Sequence, residues 1–408
     1  MGFGFTSIAI INYSDFNWTI SISWLIFVSI IFQIGDIALR DLVINPLGGW
    51  RMKCGFPLSD KEFLMTASNS STKVLVTGAN GFIGLNTVLR LLQLGYKVRA
   101  TVRNETHQKN IVETLSKHLD TSGLEFALAD LLKDDGWQEA ARGCDFVIHT
   151  ASPYPAERPK NENELIIPAR DGTLRVLHAA QTEGIKRVVM LSTIGAVFEG
   201  HAGENRTFDE SDWAIVKTGG DAYHNSKTLA EQAAWNYIHS AENKSKMEMV
   251  AVNPSNVFGP VLDKHLHTST EWFRSLMRAE VPGVARTQLD FVDVRDLVEV
   301  MVKAMIEPEA AGKRFICNAA SIPLQEFAEI LAQNFSQRGY RVPTRILPDL
   351  LVRLLGLLIP KVKAVVDQLQ WTYTFSTEQT RAILGWQPRP YKQTILDMAE
   401  SLIEYGLV

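Results

Sequence analysis

The chain has 408 residues, of which 46% are hydrophobic and 21% charged, which is typical of a folded globular protein and argues against a disordered or fibrous one. Its net charge of -4 leaves no basic excess to neutralise a phosphate backbone, so nucleic acid is not expected as a partner. Cys54, Cys144 and Cys317 are far apart and belong to no Cys/His cluster with metal-ligand spacing. We therefore expect no metal site, and free thiols in a reducing compartment such as the cytoplasm.

The first 64 residues differ from the rest. Residues 17–35 carry no charge and are mainly apolar and aromatic, so they are just long enough to span a bilayer, although polar residues interrupt them. Two interpretations stay open. In the first interpretation, the segment is a membrane anchor, and the basic residues after it place the remainder of the chain in the cytoplasm. Alternatively, residues 1–64 are a dispensable extension, and the functional chain starts at Met65, shortly before the first predicted strand.

After residue 72, short β-branched runs alternate with helical stretches, a pattern typical of a doubly wound parallel sheet. Further on, prolines break the chain into short pieces, which indicates a smaller C-terminal substrate-binding lobe and not another parallel layer. A leucine-rich stretch at 350–365 is predicted to be a helix packed on that lobe. Strands are predicted at 73–77, 97–102, 124–129, 146–149, 187–191 and 247–253, and helices at 82–94, 111–118, 137–142 and 165–181.

A glycine-rich segment joins the first predicted strand to the first predicted helix. Residues 77–84 read T-G-A-N-G-F-I-G. Glycines let a pyrophosphate approach the backbone amides and the positive end of the helix. Because a strand precedes the segment and an amphipathic helix follows it, we interpret it as the nucleotide site of a Rossmann-type α/β fold, and not as a simple tight turn. The residues assigned to the cofactor are Gly78, Asn80, Gly81, Phe82, Ile83 and Gly84.

The end of the second predicted strand favours NADP over NAD. NAD-binding chains usually place an acid about 20 residues beyond the glycines. Residues 98–104 read V-R-A-T-V-R-N and contain no acid. The planar guanidinium of Arg103 can meet a 2′-phosphate, and Lys109 is a further candidate for the same role. NADPH is therefore the predicted cofactor.

Two further strand ends border the same edge of the predicted sheet. Asp130, followed by Leu131, ends the third strand, and its carboxylate either accepts a hydrogen bond from the adenine amine or caps the next helix. Thr150 and Ala151 follow the fourth strand, where small residues would let a dinucleotide lie across the sheet edge.

We assign residues 65–260 mainly to the NADP-binding domain and 261–408 mainly to a smaller substrate-binding lobe, interleaved with it.

Tyr223 and Lys227 are four residues apart, so they share one face of a predicted helix. An ammonium beside a phenol lowers the pKa of the phenol, which lets a tyrosine exchange a proton near neutral pH, and the lysine can also hold the nicotinamide ribose. Ser192 or Thr193, at the end of the fifth predicted strand, can donate a hydrogen bond to a carbonyl oxygen as charge develops on it. The sequence leaves the choice between these two hydroxyls open.

Two histidines near these segments are interpreted as packing residues. His224 neighbours Tyr223 but points to a different helical face, so a surface or packing role is expected for it. His149 lies within an apolar strand and is expected to be a core histidine with satisfied hydrogen bonds.

Segments 77–84, 192–193, 223–227 and 253–254 together resemble the extended short-chain dehydrogenase/reductase family. Within it, 98–103 and 226–235 are similar to dihydroflavonol reductases, cinnamoyl-CoA reductases and fungal methylglyoxal or ketoreductases. The likeness extends from residue 73 to the C terminus. It implies an NADPH-dependent reductase in which Tyr223 donates a proton.

The resemblance implies further roles by position. Thr193 takes the place of the catalytic serine, Lys227 assists Tyr223, and Arg103 holds the 2′-phosphate. Pro254 and Val257 would flank the nicotinamide. Phe198 stands where plant dihydroflavonol reductases have an asparagine that reads the flavonoid ring, which argues against a flavonoid substrate.

The sequence thus predicts an NADPH-dependent reductase of an aldehyde or ketone, acting on a small molecule as a monomer or homodimer. Three alternatives stay open. An NAD-dependent sugar-nucleotide epimerase or dehydratase would share the scaffold and the tyrosine. A membrane-associated hydroxysteroid or sterol dehydrogenase would use residues 17–35 as its anchor. A non-catalytic dinucleotide sensor would have no need of the threonine, tyrosine and lysine together. The substrate itself is not predicted, because loops select it.

Overall fold

A computed structural model gives the structure of the chain in two compact units, Met1–Gly55 and Phe56–Val408. The described residues of the first unit are the antiparallel strands Val43–Ile44 and Trp50–Arg51. The candidate membrane segment, 17–35, lies outside the described residues. Among the helices that are described, each falls short of the length and apolar character needed to cross a bilayer. The described residues of the second unit are 69–153, 161–218, 220–265, 267–358, 362, 365–366 and 368–408.

The strands of the second unit, in chain order, are β1 (Lys73–Thr77), β2 (Lys97–Val102), β3 (Leu124–Leu128), β4 (Phe146–His149), β5 (Arg187–Leu191), β6 (Thr207–Phe208), β7 (Glu248–Pro254), β8 (Asn256–Phe258), β9 (Gln288–Asp293), β10 (Arg314–Cys317), β11 (Ala320–Pro323) and β12 (Thr374–Phe375). The α-helices are α1 (Phe82–Gln93), α2 (Glu105–Leu115), α3 (Trp137–Ala141), α4 (Asn163–Thr182), α5 (Gly195–Phe198), α6 (Ala222–His239), α7 (Thr268–Met277), α8 (Val294–Ile306), α9 (Leu324–Phe335), α10 (Asp349–Leu358), α11 (Glu378–Leu384) and α12 (Tyr391–Glu404).

Seven strands form one parallel sheet in the order β3-β2-β1-β4-β5-β7-β10. The chain runs outward from β1 toward β3, then returns to β4 on the other side of β1. At this reversal the helices that follow β1 and β4 pack on opposite faces of the sheet, and the crevice between such connections is where open α/β sheets bind ligands. The predicted Rossmann-type α/β fold is confirmed.

The core explains why the strands form. Val74 and Val76 of β1 pack into one apolar cluster, and Leu75 packs into another on the opposite face of the sheet. Successive side chains point to opposite faces, and helices cover both faces, so all three residues are at most 1% exposed. Burying each such side chain stabilises the fold by about 1.5–3 kcal/mol.

The chain after residue 260 contributes more to this sheet than predicted. β10 pairs in parallel with β7, with Arg314 opposite Ala251, and adds a seventh strand to the same sheet, a strand that is not predicted from the sequence. The remaining strands form a smaller lobe, in which β9 pairs with β8 and β11, while β12 pairs with β6.

The leucine-rich stretch forms α10, but its leucines do not pack as predicted. Val352 is buried, whereas Leu350 and Leu357 are 70% and 82% exposed. The packed face is narrow because it consists of Val352 and Gly356, one turn apart. The prediction of a helix is therefore confirmed, and the prediction that its leucine face is covered is wrong for the described part of the stretch.

Candidate active site

The glycine loop between β1 and α1 packs too closely for side chains. Gly78 has a left-handed φ of +69°, and a Cβ there would lie 2.8 Å from the backbone of Ala151, just beyond β4. At Gly84, a Cβ would lie 2.2 Å from the carbonyl oxygen of Gly78. The amide of Gly81 donates to that same oxygen at 3.0 Å. The loop, the start of α1 and the end of β4 are thus held together by backbone contacts.

The first turn of α1 offers unused amides. Gly81 is its N-cap, no side chain caps the turn, and the turn contains no acid. Such a helix start suits a pyrophosphate, which accepts hydrogen bonds from amides and is attracted by the helix dipole. Asn80 lies half-buried in the loop, and Phe82 and Ile83 begin the helix. The residues of this loop therefore fit a dinucleotide.

A chain of hydrogen bonds lies under the crevice. The amide of Ala151 donates to Thr77 Oγ1 at 3.1 Å, and Thr77 Oγ1 lies 2.7 Å from His149 Nδ1. His149 Nε2 lies 3.2 Å from Thr173 Oγ1, which itself donates to the carbonyl of Ala169. Because the Thr173 hydroxyl proton is already donated to Ala169, Thr173 Oγ1 must accept from Nε2–H of His149. The other ring nitrogen, Nδ1, then accepts from the Thr77 hydroxyl. Burial, with a smaller effect of Lys227, lowers the pKa of His149 to about 3, consistent with this neutral tautomer and with the predicted core role.

The end of β2 carries the residues predicted to meet the 2′-phosphate. Arg103 and Lys109 are both exposed. His107, in the first turn of α2, is not predicted from the sequence. The side chain of Asn104 caps α2 by accepting from the His107 amide at 3.0 Å. Burial, then the charges of Arg103 and His265, lower the pKa of His107, which indicates a local cluster of basic groups.

The other predicted strand-end residues make local contacts. Asp130 Oδ1 accepts from the Leu132 amide at 3.0 Å, so one of its oxygens caps the turn after β3. Leu131 packs on α4, where a Cβ at Gly172 would lie 2.7 Å from Leu131 Cδ2. Thr150 Oγ1 donates to the Thr77 carbonyl at 2.6 Å and ties the end of β4 to β1.

Tyr223 and Lys227 lie in the first two turns of α6. Asp221 caps this helix by accepting from the His224 amide at 2.9 Å. Tyr223 is half-buried, and a helix N-terminus favours negative charge on a phenol oxygen. Lys227 is buried, and its Nζ donates to the Leu191 carbonyl at 2.8 Å, at the end of β5. Burial lowers the pKa of Lys227 to about 8, against the opposing charge of Glu231.

The structure separates the two candidate hydroxyls. Ser192 is 3% exposed, and its Oγ donates to Glu231 at 2.5 Å, away from the crevice. Thr193 is half-buried, and its Oγ1 accepts from the Gly195 amide at 3.1 Å. Its hydroxyl proton has no acceptor among the described residues, so it is available to a ligand. This geometry favours Thr193 over Ser192 as the donor to a carbonyl oxygen.

His224 packs against the turn after β5. A Cβ at Gly195 would lie 2.4 Å from His224 Cδ2, so glycine is required there. His224 Nδ1 lies 3.2 Å from a Glu199 oxygen and 3.6 Å from an Asp221 oxygen. Burial alone would lower the pKa of His224, but these two carboxylates raise it. The contacts agree with the predicted packing role.

The remaining predicted positions lie near the ends of β5 and β7. Pro254 accepts from the Ile194 amide at 2.9 Å, and Val257 of β8 is buried. Phe198 is 5% exposed, and its ring lies 5.0 Å from that of Tyr373 and 5.6 Å from that of Trp371. It therefore belongs to an aromatic core cluster of the smaller lobe.

Comparison with known proteins identifies the family. The model of the NAD dependent epimerase/dehydratase family matches residues 74–320. This chain belongs to that family. The predicted resemblance to extended short-chain dehydrogenases/reductases is thereby confirmed, and the glycine loop and the α6 pair of Tyr223 and Lys227 both lie within the matched region.

Three relatives of this chain are named as reductases. It is 34% identical to a bifunctional dihydroflavonol 4-reductase/flavanone 4-reductase of Malus domestica, over 81% of this chain and 89% of the relative. It is 30% identical to an NADPH-dependent methylglyoxal reductase of Saccharomyces cerevisiae, over 81% and 98%. It is 32% identical to a cinnamoyl-CoA reductase of Petunia hybrida, over 83% and 94%. A crystal structure of yeast methylglyoxal/isovaleraldehyde reductase complexed with NADPH matches with a TM-score of 0.70 and 28% identity, over 83% of this chain and 100% of the other.

Proposed function

We propose that this chain is an NADPH-dependent reductase that converts an aldehyde or ketone into an alcohol. The observation that carries the proposal is the 2.8 Å hydrogen bond from Lys227 to the carbonyl of Leu191. It anchors the α6 face that bears Tyr223 and Lys227 to the end of β5, two residues before Thr193. A phenol, an ammonium and a free hydroxyl proton then border the same end of the sheet as the glycine loop.

Each of these groups has its own role in the proposed reaction. When bound, NADPH supplies a hydride for the carbonyl carbon. Thr193 donates a hydrogen bond to the carbonyl oxygen, because its own acceptor site is already filled by the Gly195 amide. Tyr223 gives the carbonyl oxygen its proton, so that carbonyl, hydride and proton together make the alcohol. Lys227 holds a positive charge behind the phenol and stabilises the phenolate that remains.

The choice of NADPH is supported by the end of β2. No acid stands there to bind the ribose hydroxyls, while Arg103 is exposed and close enough for its charge to lower the pKa of His107. A 2′-phosphate carries negative charge that a guanidinium binds well, and its proximity would favour the protonated form of a neighbouring imidazole. An NAD-dependent sugar-nucleotide epimerase lacks a comparable supporting observation, and the named relatives above are reductases.

We also propose that the reaction takes place in the cytoplasm. Cys144 and Cys317 are buried free thiols, and burial raises the pKa of Cys144 to about 11, which keeps that thiol protonated and unreactive. Both features suit the reducing cytoplasm. Cell fractionation of the full chain and of a chain starting at Met65 would test the membrane-anchored alternative, because an anchor would move only the full chain to the membrane fraction.

A panel of aldehydes and ketones, assayed with NADPH and with NADH, tests the proposal. Tyr223→Phe should lower kcat by about 10²–10⁴-fold, because the general acid is lost, and leave the Kd for NADPH within about twofold. Tyr237→Phe is the matched control, since Tyr237 lies on the same helix and its hydroxyl donates a hydrogen bond to Gln181. Substantial activity in the Tyr223→Phe variant would refute the mechanism, and no activity in the unmodified chain on any carbonyl would refute the function.

A further inference from the structure

A buried carboxylate lies directly behind the proposed catalytic groups. Glu231 is one turn beyond Lys227 on α6 and is fully buried. Its oxygens accept hydrogen bonds from four side chains. They are Ser192 Oγ at 2.5 Å, Asn253 Nδ2 at 2.9 Å, Arg314 Nε at 2.7 Å and Trp235 Nε1 at 3.3 Å. So many partners for one side chain indicate that its position is tightly constrained.

Two of these donors are adjacent in sequence to residues that are expected to line the crevice. Ser192 immediately precedes Thr193, and Asn253 immediately precedes Pro254. The Asn253 amide nitrogen donates both to Glu231 and to the Thr193 carbonyl, the latter at 3.1 Å. Both of its neighbours are acceptors, which decides the orientation of the amide and leaves Asn253 Oδ1 buried without a partner among the described residues. The backbone of Thr193 is therefore tied to the Glu231 carboxylate through one side chain.

Arg314 keeps the carboxylate in place. Its guanidinium donates to Glu231, to the Glu210 and Asp212 carbonyls at 3.0 and 2.5 Å, and to the Ala196 carbonyl at 3.3 Å. It also lies 3.9 Å over the ring of Trp213. A buried ion pair adds little net stability compared with apolar residues of similar size, so a pair held by this many contacts suggests a role in precise positioning.

We infer that Glu231 is a positioning residue of the active site: clamped by Arg314, it fixes Thr193 through Ser192 and Asn253 and supplies the countercharge to the Lys227 ammonium. This inference rests on the proposed function for its kinetic consequences. The electrostatic part has a separate physical basis, because the Glu231 charge opposes the effect of burial on the pKa of Lys227. Removing that charge should make the ammonium less stable and loosen the threonine.

Glu231→Gln is the principal test, since it keeps the shape of the side chain and removes its charge. We expect kcat to fall by about tenfold to a hundredfold, the size of effect that follows from slight misplacement of a catalytic group. The KM for the carbonyl and the Kd for NADPH should change less than about threefold, because Glu231 is fully buried and so is not exposed to either ligand. The alkaline limb of the kcat profile should move to lower pH. In protein labelled with ¹³C at lysine Cε, the Lys227 resonance should also titrate at lower pH.

A second variant guards against a folding defect. Ser192→Ala removes one donor and keeps the ion pair, so it should lower kcat several-fold without moving the alkaline limb. Tyr237→Phe again serves as the control, because it removes a hydrogen bond from α6 on the side that faces Gln181. If Glu231→Gln does not fold, an unchanged kcat in Ser192→Ala overturns the inference, and a several-fold loss supports it.

The outcomes separate the inference from the proposed function. A Glu231→Gln variant that loses thermal stability but keeps kcat and the alkaline limb would show a structural role only, and would overturn the inference while the function stands. If the unmodified chain reduces no carbonyl, the function fails. The NMR titration then still decides the electrostatic part, because an unchanged Lys227 titration in Glu231→Gln contradicts it.

Discussion

Replacing Gly84 with alanine tests whether the glycine loop is as closely packed as the backbone positions imply. The new Cβ would lie 2.2 Å from the oxygen and 2.9 Å from the carbon of the Gly78 carbonyl, and 3.0 Å from Ala79 Cα. All three are backbone atoms, so no side-chain rotation relieves the contact. Helix α1 must move away from the loop by about 1 Å before ordinary van der Waals separation returns.

That displacement has two costs of known size. Overpacking of a buried site usually costs about 1–3 kcal/mol, and for a chain of this length each kcal/mol lowers Tm by roughly 2 °C, so Tm should fall by about 2–6 °C. The shift also carries the first-turn amides away from a bound pyrophosphate. A hydrogen bond to a charged group contributes about 1.5–3 kcal/mol, so losing one would weaken NADPH binding by about tenfold to a hundredfold.

Gly81→Ala is the matched control in the same loop. Its φ is an ordinary -81°, and a Cβ there would lie 3.3 Å from the Gly78 oxygen, a contact that a small adjustment relieves. Thermal unfolding and titration of the NADPH fluorescence would compare both variants with the unmodified chain. We expect Gly84→Ala to be clearly worse than Gly81→Ala in both measurements. Equal values in the two variants would refute the close packing of Gly84 against Gly78.

Four further predictions concern the reacting groups and the cofactor. Thr193→Ala should lower kcat by about 10²–10³-fold, whereas Thr193→Ser should retain it, because only the hydroxyl is needed. Steady-state assays would measure both, and equal kcat values in the two variants would contradict the role of Thr193 as a hydrogen-bond donor. Arg103→Ala should weaken NADPH about tenfold to a hundredfold in calorimetry and leave NADH unchanged, since only NADPH has the 2′-phosphate, and an equal loss for both would count against it. Lys227, with a pKa of about 8, is a cation below that pH, so kcat should fall as pH rises through about 8. Because folding lowers this pKa from 10.5, the contribution of Lys227 to the free energy of unfolding should rise between about pH 8 and 10.5, and its absence from the difference between the unmodified chain and Lys227→Met in denaturant titrations would contradict the shift.

The fold was largely predictable because its signals are local. Strands such as β1 are short and apolar on both faces, and the glycine segment that follows identifies the turn into a helix. β10 is not predicted, because the features that make it a strand are not local. It has four residues and begins with Arg314, so it resembles a loop until its partners are known. The arginine can be buried within a strand because a carboxylate 83 residues away neutralises its charge.

The positioning contacts around Glu231 could not be predicted for the same reason. In sequence, Glu231 is a charged residue in the middle of a helix, which is usually a solvated position. Its burial depends on donors from β5, β7 and β10, which the sheet order brings together. A pattern within one segment carries no information about such partners, whereas the four-residue spacing of Tyr223 and Lys227 lies within one helix and was visible in the sequence.

The choice between Ser192 and Thr193, left open by the sequence, follows from strand geometry. Adjacent residues in an extended chain point to opposite sides, so two neighbouring hydroxyls at a strand end cannot both enter the crevice. The Ser192 hydroxyl is oriented toward α6, where it bonds Glu231, and so the Thr193 hydroxyl is left on the other side. In the proposed mechanism the two residues therefore have complementary roles, since Ser192 anchors the strand end to α6 and Thr193 presents a proton to the substrate. Exchanging them, in a Ser192→Thr and Thr193→Ser double variant, should therefore disturb the buried side, where the extra methyl has no room, more than the reacting side.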